Sequence, residues 1–138
     1  MITKLSHASV YVLDQESARD FYVNKLGFDE KMKIPIGEDV FWLTVGPKGQ
    51  SDLEITLMPI NKGTMFSDEV SQQLSNLVQK GTFGFGVFEC EDIYATYQEF
   101  KGKGVEFTKE PTEEFYGIEA MFKDDSGNWF SLVQAKKE

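Results

Sequence analysis

The chain has 138 residues, 41% of them apolar, with twelve phenylalanines and two tryptophans, enough for the core of one ordinary domain or of two small fused modules. A formal charge of −9 and an isoelectric point near 4.6 argue against a nucleic-acid binder, which needs a clustered basic surface to neutralise phosphates. Cys90 is the only cysteine and His7 the only histidine, so no intrachain disulfide can form and a zinc site built mainly from nitrogen and sulfur is excluded. Any metal would need oxygen ligands. With no charged-then-apolar leader and no apolar run long enough to span a bilayer, the expected setting is the cytoplasm, away from membranes.

In chain order, Leu5 to Val12 reads as a strand whose faces differ. Leu5, His7, Ser9 and Tyr11 share one side, and Ser6, Ala8, Val10 and Val12 the other, because strand side chains alternate. Asp14 is a helix cap and Glu16 puts negative charge in the first turn, so a helix is expected from about Gln15 to Lys25, stopped by Gly27. Phe28 to Ile34, ending at Pro35, suits an edge strand. Val40 to Val45 and Asp52 to Met58 flank the turn signal Gly46-Pro47-Lys48-Gly49 and read as a hairpin, with Asp52, Glu54, Thr56 and Met58 on one face. Residues 61–80 form a connector carrying one amphipathic helix capped by Ser67.

The second half repeats the order. Thr82 to Cys90 is a strand, Asp92 caps a helix with Ile93, Tyr97 and Phe100 on its buried stripe, and Gly102 and Gly104 end it. Val105 to Phe107 is a short strand, Glu110 to Tyr116 a loop suited to be a lid, Gly117 to Lys123 a longer strand, and Trp129 to Gln134 the last. Between the final two, Asp124-Asp125-Ser126-Gly127-Asn128 is a tight turn, too short for a calcium loop and lacking its terminal glutamate. Both halves thus run strand, helix, strand, strand, strand. Pairing the caps Asp14 and Asp92 sets His7 opposite Phe85, and Glu54 falls opposite Ser131 with a drift of one residue.

His7 in an opening strand, then Asp14, Ala18, Phe21, Tyr22 and the Leu26-Gly27-Phe28 exit, Leu53-Glu54-Ile55, Asp92-Ile93, Gly104-Val105, and Asp125-Ser126-Gly127-Asn128 before a strand ending in Gln134 together resemble the vicinal oxygen chelate superfamily, the glyoxalase, bleomycin-resistance and extradiol-dioxygenase group. The resemblance covers nearly the whole chain. It implies an α+β fold of paired βαβββ modules, here residues 1–60 and 81–135 within a single domain of 1–138, forming a curled mixed sheet around a cavity, commonly in a homodimer.

In metal-using relatives, four positions converge on the cavity. Carried over, they are His7 and Glu54 from the first module and Phe85 and Ser131 from the second. Phe85 has no lone pair for a hard cation and Ser131 offers only a neutral hydroxyl, so a divalent metal held by His7 and Glu54 would form an incomplete, weakly occupied site. The expected function is therefore the binding of a small, partly apolar molecule without a catalytic metal or other cofactor. Aromatic residues such as Trp42, Phe85 and Tyr116 would line the pocket, and His7, Glu54 and Ser131 would anchor polar groups. The alternative is a glyoxalase-type lyase, isomerase or dioxygenase in which His7 and Glu54 hold a metal or act together as a base, the carboxylate fixing the imidazole tautomer. A ferredoxin-like dimer that merely associates is a third reading, disfavoured by the extra hairpin in each half. Cys90, between Glu89 and Glu91, is a poor candidate nucleophile, because negative neighbours disfavour a thiolate.

Overall fold

In the computed structural model, which describes residues 1–61 and 65–137, the chain runs twice through one order of elements. The first half comprises β1 (His7–Val12), α1 (Gln15–Arg19) continuing as a π-helix over Asp20–Lys25, β2 (Asp29–Gly37), β3 (Val40–Gly46) and β4 (Glu54–Pro59). Helix α2 (Asp68–Gln79) leads to the second half: β5 (Gly84–Glu89), α3 (Ile93–Gly102), β6 (Glu106–Glu114), β7 (Gly117–Lys123) and β8 (Trp129–Ala135). Two separate four-stranded mixed sheets result, ordered β1-β4-β3-β2 and β5-β8-β7-β6. In each, the first strand is an edge and runs parallel to the last strand of its half. Part of the connector, residues 62–64, lies outside the described residues.

The three helix caps fall where the sequence places them. Asp14, Ser67 and Asp92 each accept the backbone N–H three residues on, satisfying donors that a first turn cannot pair internally. The first helix differs in its second half, where Leu26 N–H reaches back to Phe21 and Phe28 N–H to Tyr22. The wider turn sets both Phe21 and Tyr22 on the buried side, at 3% and 0% exposure. The other main departure is β6. Residues 110 to 114, expected in a loop, continue the strand and pair with β7, because two bulges between Phe107 and Thr112 absorb the misfit in alternation. Only Phe115 and Tyr116 remain at the hairpin tip. On the edge strand β2, Pro35 lies within the strand rather than ending it, beside a bulge before Gly37.

One face of each sheet enters a shared core. Val10, Val12, Leu43, Val45, Ile55 and Leu57 meet the first helix, and Ala120, Phe122, Phe130 and Leu132 meet Ile93 and Phe100 of α3. The halves join through rings, with Tyr22 edge-on to Phe130 at 6.3 Å and Phe28 edge-on to Phe88 at 5.3 Å. A polar clasp locks this seam. The Tyr22 hydroxyl donates to Asp124 Oδ2 at 2.7 Å, and Asp124 Oδ1 accepts the N–H groups of Ser126, Gly127 and Asn128 at 2.9 Å each. Asn128 Nδ2 donates to the Tyr11 carbonyl, and Ser126 Oγ accepts Leu13 N–H. The Asp-Ser-Gly-Asn turn therefore fastens β1 and the first helix to the second half, beyond merely reversing the chain.

Asp125 borders the clasp and accepts the Ser17 hydroxyl at 2.7 Å. Loss of hydration raises its carboxyl, the Ser17 bond lowers it, and the Asp124 and Asp14 charges raise it again, so that it is pushed up to about 6 from 3.8. The native state then holds the proton more tightly than the unfolded chain. Asp125's contribution to stability accordingly falls as the pH rises from about 4 to 6 and stays low above that. Solvent reaches the residue and screens the effect. Replacing Asp125 by Asn is expected to stabilise the protein by about 1 kcal/mol at pH 7 and by clearly less at pH 4, read as the difference between wild-type and variant urea denaturation at each pH.

Candidate functional site

The sheet faces turned away from the helices carry the residues singled out from the sequence. On the first sheet, His7 stands directly opposite Glu54 in the parallel β1–β4 ladder, with Nε2 3.5 Å from Glu54 Oε2. At that distance the two groups are in polar contact, farther apart than in a well-formed hydrogen bond. Ser6 Oγ lies 2.9 Å from His7 Nδ1, and the Trp42 ring is tilted against the imidazole with centroids 5.9 Å apart. Thr44 of β3, fully buried, donates its hydroxyl to Glu54 Oε1 at 2.6 Å. The carboxylate is thus held from below by Thr44 and offers its other oxygen to the imidazole. Met32 and Ile34 lie beside Thr44 and Trp42 in the β2–β3 register and stay exposed, widening this polar pair into a partly apolar surface.

On the second sheet the arrangement is different. Ser131 stands opposite Val87 on β5 and Met121 on β7. Phe85 falls at the β5 bulge between the Gly84–Trp129 and Gly86–Phe130 pairs, tilted against Phe83. Gly84 leaves room for the Trp129 indole, since a Cβ there would sit 2.2 Å from the ring. The bulge follows from that close approach, and it separates Phe85 from Ser131 in the ladder. The second half therefore holds no counterpart of the facing pair His7 and Glu54.

Ser131 instead donates its hydroxyl to Glu119 Oε2 at 2.8 Å. Glu119 Oε1 accepts Lys109 Nζ and the Tyr116 hydroxyl, both at 2.8 Å, and Lys109 also reaches Glu114 Oε1 at 2.9 Å. The Lys109 bond, with help from Tyr116 and Ser131, holds the Glu119 carboxyl below the usual carboxylate range. The same contacts push the Lys109 ammonium and the Tyr116 phenol upward, in both cases chiefly through Glu119. Glu119, Lys109 and Thr44 are the site residues that sequence reasoning missed. Glu119 carries a signal as a charged residue in the alternating run after Gly117, whereas Lys109 carries none, since it falls between the expected strand Val105 to Phe107 and the expected loop Glu110 to Tyr116.

His7 and Glu54 are brought together, and Ser131 and Tyr116 meet through Glu119, but the two groups stand on separate sheets. His7, Phe85 and Tyr116 are exposed, so both faces are open in the single chain. Two cavities form elsewhere, one between the start of α1 and the β2–β3 hairpin and one at the seam between the halves. Neither is lined by the six residues expected from the sequence. Among the described residues, no group of three or more His, Cys, Asp or Glu side chains is placed to hold a metal ion, and no helix is long and apolar enough to cross a membrane. The donor set at His7 fits a metal poorly: it consists of one imidazole and one carboxylate with an oxygen already engaged by Thr44. Phe85 and the committed hydroxyl of Ser131 add no hard donor.

Comparison with known proteins decides the family. The model of the Glyoxalase/Bleomycin resistance protein/Dioxygenase superfamily matches residues 4–132. The chain belongs to this superfamily. Among solved relatives, it is 42% identical to UcmS2, with a TM-score of 0.91 and 96% of this chain and 98% of that one covered. It is 31% identical to TnmS3, an antibiotic binding protein from Streptomyces sp. CB03234, with a TM-score of 0.75 and 98% of both chains covered. The Bacillus subtilis (strain 168) protein YetH is 38% identical over 135 residues, 97% of this chain and all of that one. The glyoxalase/bleomycin-resistance fold is thus common to this chain and its solved relatives.

The Glu119 network predicts a spectroscopic result. Tyr116 should ionise above the ordinary tyrosine value near 10, and Glu119→Gln should return it toward that value by removing the charge and leaving only a weaker, neutral acceptor. An ultraviolet phenolate titration of wild type, Glu119→Gln and a Tyr116→Phe control measures the change. An unchanged Tyr116 titration in the glutamine variant contradicts the assigned bond.

Proposed function

We propose that this protein sequesters a small, partly apolar organic molecule of antibiotic type on its outward sheet faces, as a homodimer and without a catalytic metal. The observation that carries the reading is the first-sheet surface, where the Trp42 ring flanks a braced His7–Glu54 pair and Met32 and Ile34 remain exposed beside it. An aromatic ring contributes contact area and stacking, while the imidazole can donate or accept a hydrogen bond and Glu54 can accept one. The similarity to TnmS3, an antibiotic binding protein, supports the same class of ligand. The two-donor set at His7 supports binding over metal-dependent lyase, isomerase or dioxygenase chemistry.

A second copy supplies the missing wall. Each half leaves its outer face open, with Val87 at 63% and Ile34 at 48% exposure, and a pocket buries most of a small ligand's surface only when it is concave. A homodimer that sets the first-sheet face of one copy against the second-sheet face of the other encloses His7, Glu54 and Trp42 with Ser131, Phe85 and Tyr116. Analytical ultracentrifugation at micromolar concentration is expected to show a dimer, and Val87→Glu is expected to shift it toward monomer.

Binding is tested by calorimetry against a panel of aromatic antibiotics. Trp42→Ala and His7→Ala are each expected to weaken the affinity of a bound compound about tenfold, the loss of a ring contact or of one polar anchor. Nickel, manganese, zinc and ferrous ions are expected to leave the melting temperature unchanged. A saturable metal-induced shift that disappears in His7→Ala favours the metal-dependent enzyme instead.

A further inference from the structure

The seam between the halves is closed at one end and hollow at the other. At the closed end, the clasp around Asp124 binds Tyr22, Tyr11 and Leu13 to the last turn. At the open end, Leu26 and Phe28, which follow the π-helix, border with residues of β5, α3 and β8 a cavity of about 520 Å³. This lies within the roughly 300–1,000 Å³ of small-molecule pockets. Its floor is aromatic: Phe28 meets the Phe88 ring edge-on, and Phe88 stacks over Phe122 at an interplanar angle of 18°. Phe100 and Leu132 are both less than 9% exposed yet turn that remaining surface into the cavity, and Phe122 backs the floor from behind Phe88.

The rim carries a different chemistry. Gln50 on the β3–β4 turn, Glu89 and Cys90 at the end of β5, and Thr96 on α3 border the opening. Burial pushes the Cys90 thiol up, outweighing the Thr96 contact, and it stays a neutral thiol. The one ionisable carboxylate among the lining residues is Glu89, and no lysine or arginine joins it. An anionic guest would meet this charge without a partner, in a protein already at −9.

We infer that the seam cavity is a second binding site, separate from the His7–Glu54 face, for an uncharged flat aromatic molecule of two or three rings. The rings lie against Phe28 and Phe88, backed by Phe122, and one polar substituent reaches Gln50 or Cys90 at the mouth. None of the residues assigned to the outward faces lines it except Val87, at the edge.

Because Cys90 is the sole cysteine, it reports occupancy of this site alone. The alkylation rate of Cys90 by iodoacetamide is measured in the full-length protein with increasing N-phenyl-1-naphthylamine, an uncharged naphthalene whose fluorescence rises in apolar surroundings. Saturable protection is expected, about tenfold at roughly ten times the dissociation constant, tracking the fluorescence rise. His7→Ala should leave the Cys90 protection unchanged. Gln50→Trp, which fills the mouth from an exposed turn and keeps the wild-type melting temperature, should abolish protection. Alkylation that stays fast while the dye fluorescence saturates, or protection lost in His7→Ala and kept in Gln50→Trp, places the dye on the outward face and overturns the inference. Cys90 protection that grows with protein concentration in the absence of dye also overturns it, since a second copy then covers the opening.

Discussion

The buried carboxylate of Asp124 is the constraint on which the arrangement of this molecule depends. At 6% exposure it has surrendered most of its hydration, which is tolerable only because both oxygens are engaged. Three backbone N–H groups of its own turn fill one oxygen, and the Tyr22 hydroxyl and Asn128 amide fill the other. The tyrosine comes from the first half and the turn from the second, so the carboxylate cannot be satisfied unless the halves are docked. Removing the Tyr22 hydroxyl would leave a charged acceptor short of a donor, a more serious loss than one surface hydrogen bond. The aromatic seam provides the burial, and this clasp fixes the register in which the two halves meet.

With the helices and one face of each sheet committed to the seam, the opposite faces are left for function. They are not equivalent. The first sheet braces a carboxylate from beneath with Thr44 and leaves it facing an imidazole. The second ties its carboxylate, Glu119, to a lysine, a phenol and a hydroxyl at once. A carboxylate with both oxygens engaged by three donors resists protonation and has little left to give a ligand. On the proposed reading, this asymmetry gives polar recognition to the first sheet, while on the second the network holds the β6–β7 hairpin and its aromatic tip in place. It also accounts for the weak fit to a metal: the superfamily fold is retained, while the carboxylate of the second sheet is tied up by Lys109, Tyr116 and Ser131.

The bulge on β5 has the same origin as that asymmetry. Gly84 lets Trp129 pack over the backbone, and the strand yields one residue of register in return. Phe85 is carried out of line with Ser131, so the internal repeat, although evident in the order of elements, does not extend to a matching pair of site residues.

Much of this was legible in the residues. Asp14, Ser67 and Asp92 mark the helix starts because a capping side chain acts within three residues, and the alternation of β1 and β4 places His7 and Glu54 on one face because strand periodicity is local. Their order around Tyr22, Phe28 and the Asp-Ser-Gly-Asn turn was enough to indicate the superfamily and its α+β fold. What local signals could not fix were the extension of β6 through Pro111, the bulge at Phe85, and the partnership of Ser131 with Glu119. Each depends on a neighbour supplied by another strand: β7 rescues residues with weak strand preference, Trp129 displaces Phe85, and the hairpin delivers Lys109 to Glu119. The sequence by itself determined the elements and the faces they present, since these follow from spacing along one segment. Only the tertiary structure decided which faces meet and which stay open, because that rests on rings and buried polar groups far apart in the chain satisfying one another at once.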